Sequence, residues 1–448
     1  VRNDSRLFDP RIRATWRMVF GSLHQIVPEP EESTMSVATA GLLCPSVFEA
    51  DLPSVAYEEA TSPDEAHRNL RKALEQGPIA MGPHGPEILS YELVRRTLRD
   101  SRFRPPPGLG LEAQGIISGP LWDRVITSLL SISGDDHTRL RRLVSKAFTP
   151  RSVTRLDTTI VDVINDLIDP LSATRHAEIV TDIARPYPVP IISALLGAPR
   201  EDWRLFTAWA DDFFKLFTWN VAEYEHQILT AWEELDGYID GMVANRRYSL
   251  TDDLISELIR AEDEGDRLSI DELRMLAAGI LMAGTDTTRN QVAAAVDVFC
   301  DHPDQWELLA EQPELAMKAV EEVMRYSPVV LGAMRIAMED VELDGVIIPA
   351  GTFVMCNTAA ANRDPDVYDE PDRLDITREG AAPMQTFGAG AHHCLGANLA
   401  RREVAEAVRV MARRMPNLRR AGRAQWKPIV GITGPAVLPV QFGAAWSG

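Results

Sequence analysis

"FGAGAHHCLGANLAR", residues Phe387–Arg401, sets a single cysteine between a pair of histidines and a stretch of helical pattern. Gly388 and Gly390 lack a Cβ, so they permit tight turns and the close approach of a flat ligand. Cys394 leads at once into "LGANLARREVAEAVRVMARR", which places its sulfur at a helix N-terminus. There the macrodipole and the free N–H groups stabilise a thiolate. A thiolate so held suits a lasting bond to a soft metal. Two other readings stand beside this one. One is a buried inert cysteine, the usual fate of a lone thiol. The other is zinc held by His392, His393 and Cys394, which is weak because adjacent histidines seldom point at one metal and no fourth ligand lies nearby.

The rest of the chain narrows the field. Its 448 residues are 45% hydrophobic and 25% charged, a globular balance with ample material for a large core. Length alone suggests two or three domains, but no Ser/Gly-rich linker divides the chain, so one large domain is equally allowed. A net charge of −20 argues against a nucleic-acid partner. The four cysteines, Cys44, Cys300, Cys356 and Cys394, form no CxxC pair, which argues against a disulfide framework and fits a reducing, cytoplasmic setting. The strongest apolar helical run, "MLAAGILMAG" (Met275–Gly284), is half the roughly 20 residues that a membrane span needs. Residues 1–40 carry many charges and read as an N-terminal extension; residues 41–448 read as the folded part.

Helical periodicity dominates, with small sheets toward the two ends of the chain. Helices are expected at Pro63–Glu75, Tyr91–Arg99, Asp136–Phe148, Val153–Ile168, Asp202–Phe217, Val221–Arg246, Ile270–Cys300, Pro313–Tyr326 and Leu395–Arg414. Ser269 with Glu272 reads as a capping box opening the long helix at Ile270. "PIAMGPHGPEILS" suggests a hairpin, Val341–Asn357 two strands around a turn, "AVLPVQF" another strand, and the Pro-rich "FRPPPGLG" (Phe103–Gly110) a loop.

Three more constellations carry chemistry. In "AGTDTT" (Ala283–Thr288) an acid and hydroxyls interrupt an apolar helix, where burying them is costly. Gly284 weakens the helix there, and threonine hydroxyls bond back to helix carbonyls. A distorted turn with a polar pocket follows, with an exposed polar turn of a surface helix as the bland alternative. Glu322 and Arg325 in "EEVMRYSP" form an i,i+3 pair, worth only about 0.2–0.5 kcal/mol on a solvated helix. His137 and Arg141 in "HTRLRRLVSKAFTP" share a helix face at i,i+4.

Taken together, these segments resemble the cytochrome P-450 family. Phe387, Gly388, Gly390, His392, Cys394 and Gly396 fill every fixed position of its haem-ligand pattern F-G-x-G-x-[HR]-x-C-x-G. The resemblance runs from about Pro45 to Phe442 and is closest to the bacterial branch. It implies a mainly α fold with small β-sheets and a long central helix over a haem b, in a single domain. It makes Cys394 the axial thiolate ligand of the iron, a donor that favours O–O cleavage. Phe387 would shield the sulfur, and His392, His137, Arg141 and Arg335 would bind the propionates. Thr287 becomes the hydroxyl beside bound dioxygen and Asp286 the entry to a proton relay, with Ala283 and Gly284 over the haem face. Glu322, Arg325 and Arg373 become a structural ion-pair network. His393 falls at a variable position and receives no role.

The function so implied is a monooxygenase. It inserts one atom of O₂ into a hydrophobic small organic substrate, with electrons from a ferredoxin and its ferredoxin reductase, and is expected to act as a monomer with no membrane anchor. Arg139, Arg142, Lys146, Arg401 and Arg402 are candidates for a basic docking face. A peroxide-driven peroxygenase and a non-catalytic haem sensor are the alternatives, and the retained Asp286–Thr287 pair speaks against both. By family position the substrate pocket draws on Gly279, Met282 and Ala283, on Val330, Leu331 and Gly332, and on Ile432 and Thr433. Ile116, Ile117 and Trp122 are weaker candidates, with Phe213, Phe214 and Phe217 in a lid. The named wall is mostly apolar, which suits a terpenoid, steroid, fatty acyl or polyketide skeleton.

Overall fold

The computed structural model describes residues 44–217, 220–263 and 268–444. The extension expected over residues 1–40 lies outside the described residues. Six helices position the site: α1 (Gly134–Ser145), α2 (Asp157–Ile168), α3 (Pro188–Leu196), α4 (Ile270–Asp301), α5 (Ala316–Tyr326) and α6 (Ala397–Arg414). The longest, α4, begins at the expected capping box. Glu272 N–H donates to Ser269 Oγ at 3.1 Å, and Ser269 N–H donates to Glu272 Oε2 at 2.8 Å. It runs for 32 residues, about 48 Å at helical rise, and buries nearly all of its surface from Leu273 to Phe299. Such a helix is hydrophobic on most faces because neighbours surround it. Helices α3 and α6 pack against it, and α6 packs in turn against α2 and α5.

Helix α3 does not appear among the helices expected from sequence. Its sequence "PVPIISALL" holds two prolines and no polar periodicity. Both prolines lie in the first turn, where a backbone N–H has no helical acceptor to lose, so the helix forms and buries its valine, isoleucines and leucines. The expected segment Val153–Ile168 is likewise broken: a short helix at Pro150–Val153 and a 3₁₀ turn at Thr154–Leu156 precede α2.

One sheet matters for the site. Its strands are β1 (Ile79–Gly82), β2 (Gly85–Ile88), β3 (Phe103–Arg104), β4 (Ala333–Ala337) and β5 (Phe353–Cys356), in the order β1-β2-β5-β4-β3. The expected hairpin is β1–β2, closing at Gly82 opposite Gly85. The segment Val341–Asn357 holds three strands rather than two: Val341–Leu343 pairs with Val346–Ile348, and β5 leaves to join the larger sheet. Phe103 and Arg104, read from sequence as loop, form edge strand β3 against Ala337 and Ile336. Two paired residues ahead of three prolines are too short a run for alternation to reveal. A second small sheet joins His176–Glu178, Pro439–Gln441 and Arg419–Arg420.

Candidate active site

The loop before α6 is shaped by its glycines. Gly388 and Gly390 adopt φ of +67° and +70°. A Cβ on Gly390 would sit 2.5 Å from the carbonyl oxygen of Leu98, so no other residue fits without displacing that backbone. The loop folds back on itself: Cys394 N–H donates to Phe387 O at 2.8 Å, and His393 N–H to Gly390 O at 3.1 Å. The Arg401 guanidinium lies over the Phe387 ring, 4.4 Å from its centroid. Cys394 is exposed on the inner side of this loop, one residue ahead of the run that caps α6. The sequence reading expected the helix N-terminus to lower the thiol's proton affinity. The Gly396 N–H does act in that direction, with Arg141 and Arg401, but desolvation outweighs them and the thiol pKa is raised. The helix end alone therefore does not ionise this thiol, whereas a coordinated metal does so outright.

Two histidines and two arginines flank the loop. His137 of α1 and His392 stack with ring centroids 4.0 Å apart. His137 is buried, and its Nε2 has no hydrogen-bond partner. The pKa of His392 is pushed down to about 3 by burial, then by His137, Arg335 and Arg141. Arg335 is buried on β4 and donates only to the carbonyl of Met334, at 2.7 Å. Arg141 donates to the carbonyl of His393. None of the four has a carboxylate partner among the described residues. That bond explains His393: its carbonyl latches the loop to α1, a task independent of side chain, so the position tolerates any residue.

On α4, Gly279, Ala283 and Thr287 follow one another at four-residue spacing and form the least buried stripe of an otherwise enclosed helix. Thr287 Oγ1 donates to Ala283 O at 2.9 Å and Thr285 Oγ1 to Leu281 O at 2.6 Å, the expected back-bonds. The helix nonetheless runs through this turn as regular α-helix; no distortion breaks it. Gly284 does not share the open stripe. A Cβ there would meet Ile192 Cδ1 at 2.6 Å, so this glycine lets α3 approach. Asp286 turns away from Thr287 into a buried polar cluster. Asn290 Nδ2 donates to it at 2.7 Å, with Arg289 and Lys427 each 3.8 Å away. Burial still raises its pKa against those cations.

The ion-pair network differs from expectation in one partner. Arg325 donates twice to Glu322, Nε to Oε2 at 2.8 Å and Nη2 to Oε1 at 2.9 Å, with both side chains buried. Arg373 is not the third member. Its guanidinium faces solvent with Glu370 and Asp375, and only its carbonyl reaches Arg325. Arg378 takes the place, with Nε 3.2 Å from Glu322 Oε1. Several backbone carbonyls, those of Asp369, Glu370 and Arg373, aim Arg378 inward, a geometry set by loop folding that spacing does not encode.

The family model described as cytochrome P-450 matches residues 126–411, more than half of the chain. Luteothin monooxygenase of Streptomyces thioluteus is 37% identical over 406 residues, covering 88% of this chain and 97% of that protein. Mycinamicin IV hydroxylase/epoxidase of Micromonospora griseorubida is 39% identical over 369 residues, covering 80% and 90%. The crystal structure of CalO2 superposes with a TM-score of 0.81 at 31% identity, covering 88% of this chain and all of that one. The chain belongs to the cytochrome P-450 family. As a cytochrome P-450 it is a haem-thiolate monooxygenase with haem b as cofactor. Members of the family take electrons from redox partners and act on hydrophobic substrates, and none of the described helices is long and apolar enough to cross a membrane. The residues fit the cofactor: one thiol at the loop, and two partly buried arginines without carboxylate partners among the described residues, beside two histidines able to donate, which suits the two propionates. Leaving such cations unpaired is costly.

A cavity of about 640 Å³ is lined in part by Met334 and Ile336, which flank Arg335 on β4. Val330, Leu331, Gly332 and Ile432 line it as expected, held together by the bridge between Val330 and Ile432. Phe214 lines it too. Met282 and Thr433 do not; Met282 is core, and Thr433 is buried with its hydroxyl on Lys427 O. Gly279 and Ala283 belong to the α4 stripe rather than to this cavity, and Ile116, Ile117 and Trp122 stand outside it. Phe213 is fully buried core, and nothing is described of the Phe217 side chain. Two features escaped the sequence reading. Glu403 of α6 is buried beneath α4, where Thr288 Oγ1 donates to its Oε2 at 3.1 Å, and burial pushes its pKa up to about 8. The expected basic docking face is largely self-neutralised: Arg139 pairs with Glu272, Arg401 with Glu321 and Arg402 with Asp157.

Proposed function

We propose that Cys394 is the axial ligand of the haem iron, that His137, His392, Arg335 and Arg141 hold its propionates, and that residues 44–444 act as one haem-binding domain. The observation that carries this assignment is the cluster of two arginines and two histidines without a carboxylate partner among the described residues, set beside a glycine-shaped thiol loop. When bound, the haem supplies the activation of O₂ for insertion of one oxygen atom into a C–H or C=C bond. The chain's residues supply the surroundings. Phe387, with the Arg401 guanidinium over its ring, would shield one side of the sulfur. The Ala283–Thr287 stripe of α4 provides a small, smooth wall carrying one hydroxyl at the place where O₂ reacts. Thr287 Oγ, satisfied by Ala283 O, keeps a lone pair to accept a proton-bearing water. Asp286, set between Asn290 and the Arg289 and Lys427 cations, would carry protons inward from that side.

The substrate is a hydrophobic secondary metabolite of the size class for which the luteothin and mycinamicin enzymes are named, bound in the cavity lined by Val330, Leu331, Ile432 and Phe214. Electrons come singly from a ferredoxin served by its reductase. The exposed Lys146 on the α1 side supports a small acidic donor, and the chain works as a monomer. Replacement Cys394→Ser tests the assignment. The strongly red-shifted Soret band of the reduced CO complex should disappear; a band that survives would show that another residue ligates the iron.

A further inference from the structure

The cavity does not end at the distal wall. It continues along the outer face of the five-stranded sheet, where Met334, Ile336, Phe353 and Met355 line it. Register explains which side chains do so. Met334 pairs with Met355 and Ile336 with Phe353, and opposed residues in an antiparallel ladder share a face. Arg335 and Val354, one step along, point to the other face and are buried there. Arg104 on β3 stands opposite Ile336, so its side chain rises from the cavity face beside Ile336 and Phe353. Pro105, Pro106 and Pro107 follow it and continue the apolar lining.

Four charged residues line this cavity, and three are satisfied within the chain. Glu58 and His84 pair at 3.1 Å. Glu112 accepts from the N–H groups of Gly108 at 2.7 Å and Gly110 at 3.2 Å. Arg104 has no hydrogen-bond or ion-pair partner for its guanidinium among the described residues. Arg104 is the unpaired cation that lines this cavity, placed on a strand beside an apolar wall. We propose that Arg104 is a specificity-determining residue that grips a carboxylate on an otherwise hydrophobic substrate. The planar guanidinium matches a carboxylate with two parallel hydrogen bonds. Its strand backbone fixes where the fork sits. Arg104 is itself exposed, so the fork meets solvent on one side and the methionines, prolines and Phe353 of the cavity on the other. The substrate then spans from the carboxylate at the sheet to the oxidised carbon near Val330 and Ile432. This rests on the reading of the cavity as the substrate site.

The test uses haem-loaded protein and three hydrophobic acids, dodecanoic, hexadecanoic and abietic acid, each beside its methyl ester. Affinity is measured by calorimetry, so that a ligand binding without a spin shift still counts. At least one acid should bind about 10- to 100-fold tighter than its ester, the range for hydrogen bonds to a charged group. Arg104→Gln should abolish that preference, and Arg104→Lys should restore part of it. If no acid outcompetes its ester, or if Arg104→Gln keeps the preference, the anchor is wrong. The reduced CO band, recorded on the same samples, separates the two failures. Its loss would overturn the haem-ligand assignment, whereas an intact band without acid preference overturns the anchor alone.

Discussion

Thr287 shows how much one hydroxyl is asked to do. It sits on the least buried stripe of α4, four residues after Ala283, and its only protein partner is that residue's carbonyl. Thr287→Ala removes the hydroxyl, leaves the helix hydrogen bonds intact and adds no bulk. Haem content and the reduced CO band should be unchanged, while the fraction of electrons recovered as product falls about 10- to 100-fold and hydrogen peroxide rises to match. Unchanged coupling would remove the role given to this residue. Cys394, Thr287, Glu322 and Arg325 were all legible in the sequence because each belongs to a short motif with fixed spacing. Arg378 was not: it reaches Glu322 across a loop whose carbonyls aim it, and Arg373, in the better-placed motif, points to solvent. His393 was legible as a residue but not as a role, since its carbonyl rather than its ring makes the contact.

Among elements, the thiol loop depends on backbone conformations that side chains oppose. Gly390 combines φ of +70° with a Cβ site 2.5 Å from Leu98 O. Gly390→Ala should therefore lower stability by about 1–3 kcal/mol and speed haem loss. Denaturant unfolding and the rate of haem transfer to apomyoglobin measure both; wild-type values for each would show that the loop adapts without cost. Strongly amphipathic helices such as Pro63–Leu74 and Ala316–Tyr326 stand where their pattern places them, and the capping box sets the start of α4. Helix α3 was not legible, because uniform apolarity and two prolines carry no period. Strand β3 was not either, because two residues cannot show alternation and only the edge offered by β4 makes them a strand.

At the scale of the whole molecule, burial of acids couples stability to pH. Glu403 and Glu87 are buried, and desolvation raises their pKa values to about 8 and about 7. The folded protein thus holds protons that the unfolded chain, with ordinary carboxyls, has released. Their contribution is complete below the ordinary carboxyl value and is lost as pH rises through the folded values. Stability should fall between about pH 5 and about pH 9 from these two groups. Glu403→Gln should flatten that fall on the alkaline side. Midpoints of denaturant unfolding across the range check it, and an equal slope in the variant would show that Glu403 is not the coupled group.

The sequence by itself determined the family, the glycine-shaped thiol loop, the long helix and the place of Asp286 and Thr287 on it, because each is written in residues close along the chain. Local spacing dictates which groups share a turn or a helix face, and that physics needs no knowledge of the rest. Tertiary structure alone decided that Gly284 lets α3 approach, that Arg378 completes the Glu322 network, that Met282 is core, and that Arg104 meets the cavity. Those outcomes depend on which face of one element is covered by another. Coverage is settled by packing and by the partnering of buried charge between segments hundreds of residues apart, which no local pattern records.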